Sequence, residues 1–510
     1  MLKFTPRRRL TGGMRLPANK AESTARPIHR AFIPPRLIVS TRQHRGPAAK
    51  LVVERGQAVL RGETIARANS IDAADVHAPT SGTVVAIEDR EVPLASAVVV
   101  EPCVVIETDG ADHAVREPAR VEPGATLEEK LEQIRAAGIV GLGGAVFPAS
   151  AKLRLESGVA CELLIINGAE CEPYISCDDM LMRESAKEIL DGAEILRQLL
   201  DAKACIVAIE RDKPQAIDAI TAAGEALGIE RLSIAELPSI YPAGGERQLV
   251  DVLAGVEVPS GRFPGDVGFI CQNVATAYAV HRYFRHGEPL TRRIVTVTGA
   301  GVAEPCNIEA MIGTPIADLI AACGGYRGET VRLVQGGSMM GFAMGSDALP
   351  VTKASNCIIV ASAPEVRRDS HEWPCIRCGE CSIVCPARLQ PQDLVLAARA
   401  SNVAMLNELD LFDCIECGLC DVVCPSQILL TQSFRDAKEL MRSSDAREAF
   451  SQQSDERYHL REQRRHEAIA ADEQRRDEIK RLLGSEEDRV EAIRAAVARA
   501  RERKGETDAG

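Results

Sequence analysis

Apolar and polar positions change rhythm along this chain, and each change marks a different kind of element. The first 45 residues mix prolines, arginines and glycines without a repeat, which reads as a basic, extended arm wrapping a domain. Between Leu51 and Ile106 short β-rich stretches alternate with turn signals, among them Arg55-Gly56, Arg61-Gly62 and His77-Ala78-Pro79-Thr80-Ser81-Gly82-Thr83-Val84. From about Glu128 the rhythm becomes βαβ. A helix reaching Ala137, a glycine-rich loop and a strand Leu163–Asn167 come first; a helix after Asp178, a strand Cys205–Glu210, a helix after Pro214 and a strand near Leu232 follow. Such alternation predicts a mainly parallel sheet with helices on its faces, whose ligands sit beyond the carboxyl ends of the strands. Arg293 to Gly325 returns to β-rich text (Ile294-Val295-Thr296-Val297-Thr298-Gly299) and leads into a helix from Pro315 to Ala322. After Ser433 Glu, Asp, Arg and Ala dominate and only Gly484 interrupts, which predicts a solvated helix or a frayed extension.

The stretch from Leu51 to Ile106 looks like a small all-β sandwich of the biotinyl or lipoyl-carrier kind. A carrier needs a lysine on a hairpin, and none occurs between Lys50 and Lys130, so this module is scaffold. The segment after Arg293 resembles a small ubiquitin-like module. A chain of 510 residues suggests about three or four domains, and 45% hydrophobic content supports packed cores. No stretch approaches the roughly 18 uninterrupted apolar residues of a membrane-spanning helix, and nothing resembles a signal peptide. The net charge of −12 argues against nucleic acid or anionic lipid as a partner, so membrane contact is expected through other proteins.

Of the 17 cysteines, nine are scattered and read as small buried apolar residues. The other eight, Cys375, Cys378, Cys381, Cys385 and Cys414, Cys417, Cys420, Cys424, form two runs of Cys-x-x-Cys-x-x-Cys-x-x-x-Cys-Pro, closed by Pro386 and Pro425. Soft thiolates suit iron, and this spacing lets one tight loop present three sulfurs to a cube while the fourth serves the other cluster. One [4Fe–4S] cluster is therefore assigned to Cys375, Cys378, Cys381 and Cys424, and its partner to Cys414, Cys417, Cys420 and Cys385. Structural zinc usually shows Cys-x-x-Cys pairs set further apart, and disulfides do not suit a reducing compartment.

Two loops carry the remaining chemistry. Gly141-Leu142-Gly143-Gly144, with Lys152 downstream, would offer backbone N–H groups and a positive charge to a phosphate, although such loops are most often plain turns. Asn167-Gly168-Ala169-Glu170-Cys171-Glu172-Pro173 follows a strand directly, where acidic residues can bind ribose hydroxyls or a flavin edge, or simply be solvated.

Those two loops, Tyr241-Pro242-Ala243-Gly244-Gly245-Glu246, Gln272-Asn273-Val274-Ala275-Thr276-Ala277, Gly336-Gly337-Ser338-Met339-Met340-Gly341, the N-terminal Gly12-Gly13 and both cysteine runs occur in one order. In that order the chain resembles the RnfC family of the Rnf (Rsx) electron transport complex, over essentially everything up to Pro425. The family is similar in its centre to the NADH-binding flavoprotein subunit of respiratory complex I. The resemblance implies a multidomain α/β protein: an arm (1–45), a barrel-sandwich (46–125), a Rossmann-like FMN/NADH domain (126–290), a β-grasp SLBB module (291–362), a two-cluster ferredoxin domain (363–432) and a charged helical tail (433–510). It also implies FMN, with Gly141, Gly143, Gly144 and Lys152 on its phosphate and ribityl chain, and Gln272, Asn273 and Thr276 completing the phosphate side. Asn167, Glu170, Glu172, Tyr241 and Glu246 would line the flavin and nicotinamide, with Glu172 and Glu246 as the catalytic carboxylates.

The same resemblance implies NADH as substrate and electrons leaving singly through the clusters. Other Rnf subunits would be the partners, with ferredoxin or flavodoxin reached indirectly, on the cytoplasmic face of the bacterial inner membrane. Ion movement would be coupled, and reduced ferredoxin could be destined for nitrogenase. Two departures stand out: Val146 where glycine is usual before Phe147, and Gly13-Met14-Arg15-Leu16-Pro17 where a histidine is common. Gly245 also replaces one of the paired glutamates of the complex I pattern. A cobalamin reductase of microcompartments, with the same modules, and a cluster-carrying adaptor without flavin activity are the rival readings.

Overall fold

The computed structural model describes residues 2–30, 32–115, 125–156, 158–366, 371–482 and 484–507. The chain divides into two compact units, Met1–Arg435 and Asp436–Gly510. The stretches 116–124 and 367–370, beside the expected starts of the α/β and ferredoxin domains, lie outside the described residues, as does the end of the tail, 508–510.

The arm opens with a short strand, β1 (Leu2–Phe4). The sandwich follows as β2 (Arg36–Ser40), β3 (Lys50–Leu51), β4 (Ala58–Val59), β5 (Thr64–Arg67), β6 (Val76–His77), β7 (Gly82–Pro93) and β8 (Val98–Thr108). These build a four-stranded sheet, β2-β8-β7-β4, and a three-stranded one, β3-β5-β6. Leu37, Val39, Val59, Ile65, Val84, Val104 and Ile106 are buried in its core, which is why short, widely spaced β-branched positions sufficed as a strand signal.

The α/β part runs α1 (Leu127–Ala136), α2 (Ala149–Lys152), β9 (Leu163–Gly168), α3 (Cys177–Glu184), α4 (Ala186–Leu199), β10 (Cys205–Glu210), α5 (Pro214–Leu227), β11 (Leu232–Leu237), α6 (Glu246–Ala254), β12 (Phe269–Asn273) and α7 (Val274–His286). Helix α1 starts at a capping box, in which Thr126 and Glu129 satisfy each other's backbone N–H. The sheet order is β1-β11-β10-β9-β12 with every pair parallel, so the arm supplies an edge strand. The strands β9 and β10 read as unbroken apolar runs because both sheet faces are covered. Ile189, Leu196, Ile220 and Val280 from α4, α5 and α7 pack one face, and Leu249, Val250 and Leu253 from α6 the other.

The β-grasp module is β13 (Arg292–Thr298), β14 (Cys306–Met311), α8 (Ile316–Ala322), β15 (Thr330–Gln335), β16 (Phe342–Met344) and β17 (Cys357–Ser362). Its sheet, β14-β13-β17-β15-β16, packs on Ile316, Leu319 and Ile320 of α8. The cysteine region carries α9 (Glu380–Ile383), α10 (Pro391–Arg399), α11 (Val403–Glu408), α12 (Leu419–Val423) and the start of α13 (Leu430–Leu482). The second unit consists of the rest of α13 and α14 (Glu486–Thr507), polar and mostly exposed along its described length. No helix among the described residues is long and apolar enough to cross a membrane.

Candidate functional site

Parallel pairing sets Asn167 at the end of β9 beside Asn273 at the end of β12, so the loops after both strands open at one place. The glycine loop closes on itself through Gly141 N–H donating to the Phe147 carbonyl (2.8 Å). Leu142 N–H donates to the Thr276 hydroxyl (2.9 Å), and that hydroxyl in turn faces the Val140 carbonyl (3.4 Å). Thr276 is fully buried, so it anchors the loop from beneath. Gly143 lies against Asn273, whose side chain caps α7 through Ala275 N–H (2.8 Å) and donates to Asp178 (2.5 Å). A Cβ on Gly141, Gly143 or Gly144 would meet nothing nearer than 3.6 Å. Packing therefore does not demand Gly141 or Gly143, while φ +106 calls for glycine at 144, and the space all three leave suits a phosphate cradled by backbone N–H groups.

Gln272 is buried at 2% exposure, and its amide nitrogen has no partner among the described residues. A buried donor left unmade is costly, so this atom fits an acceptor brought by a ligand. Lys152, at the end of α2, pairs with Glu246, the first residue of α6 (2.8 Å), and both stay part-exposed. Asn167 donates to the Gly244 carbonyl (2.9 Å) and accepts from Ala169 N–H (3.1 Å). Val146 takes φ +45 with its side chain buried, a backbone region that penalises a β-branched residue and that glycine would adopt freely.

The acidic loop is not a solvated one. Glu170 accepts from the Asp178 and Asp179 amides at the start of α3 (2.7 and 3.2 Å), and Lys20 of the arm donates to its carbonyl. Burial pushes the Glu170 carboxyl up to about 8, with Lys20 opposing and Asp178 adding to the rise. Asp178 is likewise pushed up by burial, to about 6. Glu172 accepts from the Met339 and Met340 amides (3.0 and 2.6 Å), which ties the Gly336–Gly341 loop to the end of β9. Burial raises its carboxyl too.

Tyr241 faces the second cysteine run. It is 2% exposed and donates its hydroxyl to the Cys417 carbonyl (2.8 Å), within an apolar cluster that includes Leu419, Met14, Met339 and Val384. The structure thus brings Gly141, Gly143, Asn167, Asn273 and Thr276 to one strand end and seats Tyr241 against the second cysteine run. The arm, missed by sequence reading as part of the site, stitches these parts together. Gly13 N–H donates to the Val384 carbonyl (2.9 Å), Met14 pairs with Tyr241, and Tyr174 N–H donates to the Ala18 carbonyl (2.8 Å). Gly12 (φ +62) and Gly13 (φ +81) are required there, since a Cβ on Gly12 would sit 2.6 Å from the Cys385 carbonyl oxygen. The arm's glycine pair was the available signal; Lys20 and Asp178 had none.

Among the described residues no cysteine is in a disulfide, and Cys375, Cys378, Cys381 and Cys424 line one cavity. Burial pushes the Cys417 thiol up to about 12, and Val384, next to the fourth cysteine of the first run, packs in one apolar cluster with Cys417 and Leu419 of the second. Three thiols of one run with the fourth of the other is the donor set a [4Fe–4S] cube takes. A separate cavity of about 310 Å³ lies between Arg61, Tyr278, Arg292 and Glu309; Arg292 is already paired there with Asp112 (2.6 Å) and Glu309 (3.8 Å).

Family models match in the same order: the RnfC barrel sandwich hybrid domain over residues 8–111, the Nuo51 FMN-binding domain over 134–282, the SLBB domain over 294–343 and the 4Fe-4S dicluster domain over 373–428. FMN and two [4Fe–4S] clusters are accordingly the cofactors of this chain. The C subunit of the ion-translocating oxidoreductase complex of Pseudomonas aeruginosa is 46% identical over 469 residues, covering 91% of this chain and 59% of that protein. The equivalent subunit of Rhodobacter capsulatus is 43% identical over 430 residues (84% and 82%), and that of Vibrio cholerae 40% over 509 (98% and 64%). The chain therefore spans less than two thirds of the Pseudomonas and Vibrio relatives. An NAD+-reducing [NiFe]-hydrogenase in the H2-reduced state aligns at 18% identity and TM-score 0.45, over 64% of this chain and 63% of that one. With a relative at 43% identity matched over most of its length, the chain belongs to the RnfC family, the C subunits of ion-translocating oxidoreductase complexes.

Proposed function

We propose that this chain is the electron-entry subunit of a membrane-bound Rnf-type complex, oxidising NADH at the strand-end site and passing electrons singly through the cysteine region to membrane-bound partners. The complex would exchange those electrons with ferredoxin or flavodoxin, couple the exchange to ion movement, and hold this subunit peripherally on the cytoplasmic face of the inner membrane. Supply of reduced ferredoxin to nitrogenase belongs to the same proposal.

The observation that carries it is the direct seam between the two redox regions. Tyr241, on the loop that leads to Glu246, reaches the Cys417 carbonyl at 2.8 Å, and the arm bridges that same loop to Val384 of the first run. When bound, FMN supplies the exchange between a two-electron donor and one-electron acceptors. The chain's own residues bind and orient. The glycine loop offers backbone N–H groups, Lys152 a positive charge beside Glu246, and Gln272 a buried unpaired donor. Glu170, pushed up to about 8, can hold a proton near neutral pH within the buried loop after β9.

The test is an anaerobic titration of the chain, loaded with FMN and its clusters, with NADH, following flavin absorbance and the paramagnetic signal of reduced clusters together. Flavin bleaching followed by cluster reduction is expected. Clusters that stay oxidised beside an unresponsive flavin would replace this reading with the adaptor.

A further inference from the structure

The two cysteine runs are two copies of one local structure, and the copies differ at few places. Cys375 and Cys414, Cys378 and Cys417, Cys381 and Cys420, and Cys385 and Cys424 stand at one constant offset along the chain. The backbone repeats at that offset: Arg377 and Glu416 take φ +54 and +58, Gly379 and Gly418 +80 and +76, and Arg388 and Gln427 both +57. The amide contacts repeat as well. Arg377 N–H donates to Cys375 Sγ and Glu416 N–H to Cys414 Sγ, each at 3.4 Å. Backbone dipoles on the first cysteine of each run are therefore matched; on the fourth, Leu389 N–H also donates to Cys385 Sγ (3.4 Å), one neutral dipole in favour of the second cluster, and charged side chains make the larger difference.

Beside the third cysteine the difference is a carboxylate held against the sulfur: Glu380, just before Cys381 and replaced by Leu419 in the second copy, is exposed, whereas the carboxylate that follows Cys420 is fixed beside it. In the first copy Ser382 donates its hydroxyl to Gln392 Oε1 (2.8 Å), and the same oxygen lies 3.5 Å from Cys381 Sγ. All of these groups are neutral. At the same offsets the second copy has Asp421 and Thr431. Asp421 Oδ1 lies 3.9 Å from Cys420 Sγ and is held there by Thr431 N–H at 3.0 Å. The Thr431 hydroxyl, 3.7 Å from that sulfur, is a neutral dipole and offsets only part of the carboxylate's field. Between the first two cysteines Arg377 stands where the second copy has Glu416, which is paired with Arg435 (3.1 Å), so the positive charge of Arg377 acts in the same sense as Asp421, the carboxylate held beside a ligand sulfur. Burial differs in the same sense: Cys375 and Cys378 are exposed, Cys414 is half-buried and Cys417 is buried.

Reducing a thiolate-held cluster adds one negative charge. A neighbouring carboxylate opposes that charge, and burial removes the water that would solvate it. Both effects act against the second copy. We propose that the cluster held by Cys414, Cys417, Cys420 and Cys385 has the lower reduction potential of the two, and that Asp421 is the residue that sets the gap through Cys420. An electron shared by the pair then rests on the exposed cluster of Cys375, Cys378, Cys381 and Cys424. The inference depends on the clusters alone and stands whether or not NADH is the donor.

The experiment is a redox titration of the full chain with both clusters in place, followed by electron paramagnetic resonance. The unaltered chain should give two unequal midpoints. Asp421→Asn keeps an oxygen for Thr431 N–H, removes the charge and should raise the lower midpoint alone, narrowing the gap. Ser382→Asp adds the charge to the first copy and should lower the upper midpoint alone, narrowing the gap from the other side. A gap that widens in either variant reverses the assignment, and midpoints unmoved in both would show that Asp421 sets nothing. A single midpoint in the unaltered chain overturns the proposal without any variant.

Discussion

Lys152 and Glu246 hold each other at 2.8 Å while both remain part-exposed, and such pairs contribute only about 0–1 kcal/mol to stability. Their value lies in where the charge sits, at the strand ends beside the glycine loop. Lys152→Ala should leave folding and iron content intact while weakening FMN binding roughly ten- to a hundredfold, the worth of about 1.5–3 kcal/mol for a charge-assisted hydrogen bond. Flavin fluorescence quenching on the apo-flavin chain measures this, and an unchanged dissociation constant would remove Lys152 from the site. Tyr241 poses the opposite question. Its hydroxyl is spent on the Cys417 carbonyl, so Tyr241→Phe should leave a buried acceptor unpaired and cost about 1–3 kcal/mol. The expected result is a lower unfolding midpoint with flavin affinity unchanged; weaker flavin binding at an unchanged midpoint would instead return Tyr241 to the flavin, as the family resemblance implied.

Helices α4 and α7 pack closely because Gly192 has no side chain: a Cβ there would lie 1.9 Å from the Ala277 carbonyl oxygen, a backbone atom that cannot swing aside. Gly192→Ala should therefore separate the two helices and cost about 1–3 kcal/mol, seen as a fall in the thermal midpoint. A change within experimental error would mean the helices adjust without loss. In the sandwich, His77 closes β6 and His44 lies buried on the segment after β2; burial holds them down to about 3 and about 4, with Lys353 adding to both. In the unfolded chain they take up protons as pH falls through about 6.5. Below that value the unfolded state binds more protons, so stability is present above about pH 6.5 and drains away on acidification. Each histidine should cost about 1 kcal/mol between pH 6.5 and 5.5. Hydrogen-exchange protection of the β5–β7 amides, compared at the two pH values, should fall less in His77→Gln than in the unaltered chain; equal losses would clear His77. Elements with a local rhythm were legible: β9, β10 and the α/β alternation came from apolar runs and helix periodicity. β12 was not, because Phe269–Cys271 is too short a run to separate from a buried helix turn, and β1 was not, because three residues carry no period and their partner β11 lies far along the chain.

At the scale of the whole first unit, the cysteine pattern is the strongest statement the chain makes, since eight ligands at fixed spacing need no tertiary information to be read. The same spacing assigns the fourth cysteine of each run to the other run's cluster. The contacts around the strand-end site were less legible for the same reason in reverse: Lys20 on Glu170, Tyr241 on Cys417 and Gly12 on Cys385 join segments remote in sequence, and no local pattern encodes them. Cys375, Cys378, Cys381 and Cys424 line one cavity, the set that crossed ligation, as we propose it, joins on one cluster. Crossed ligation has a mechanical consequence. Each cluster then ties α9 to α12, so loss of a fourth cysteine should damage the cluster of the opposite run. Cys424→Ala should abolish or convert the cluster nucleated by Cys375 and spare the one nucleated by Cys414, and Cys385→Ala should do the reverse. Iron content, which should fall towards half in each variant, and the surviving paramagnetic signal, which should differ between them, decide the matter. Self-contained runs would give the opposite pairing: Cys424→Ala would then remove the second cluster and leave the exposed one untouched.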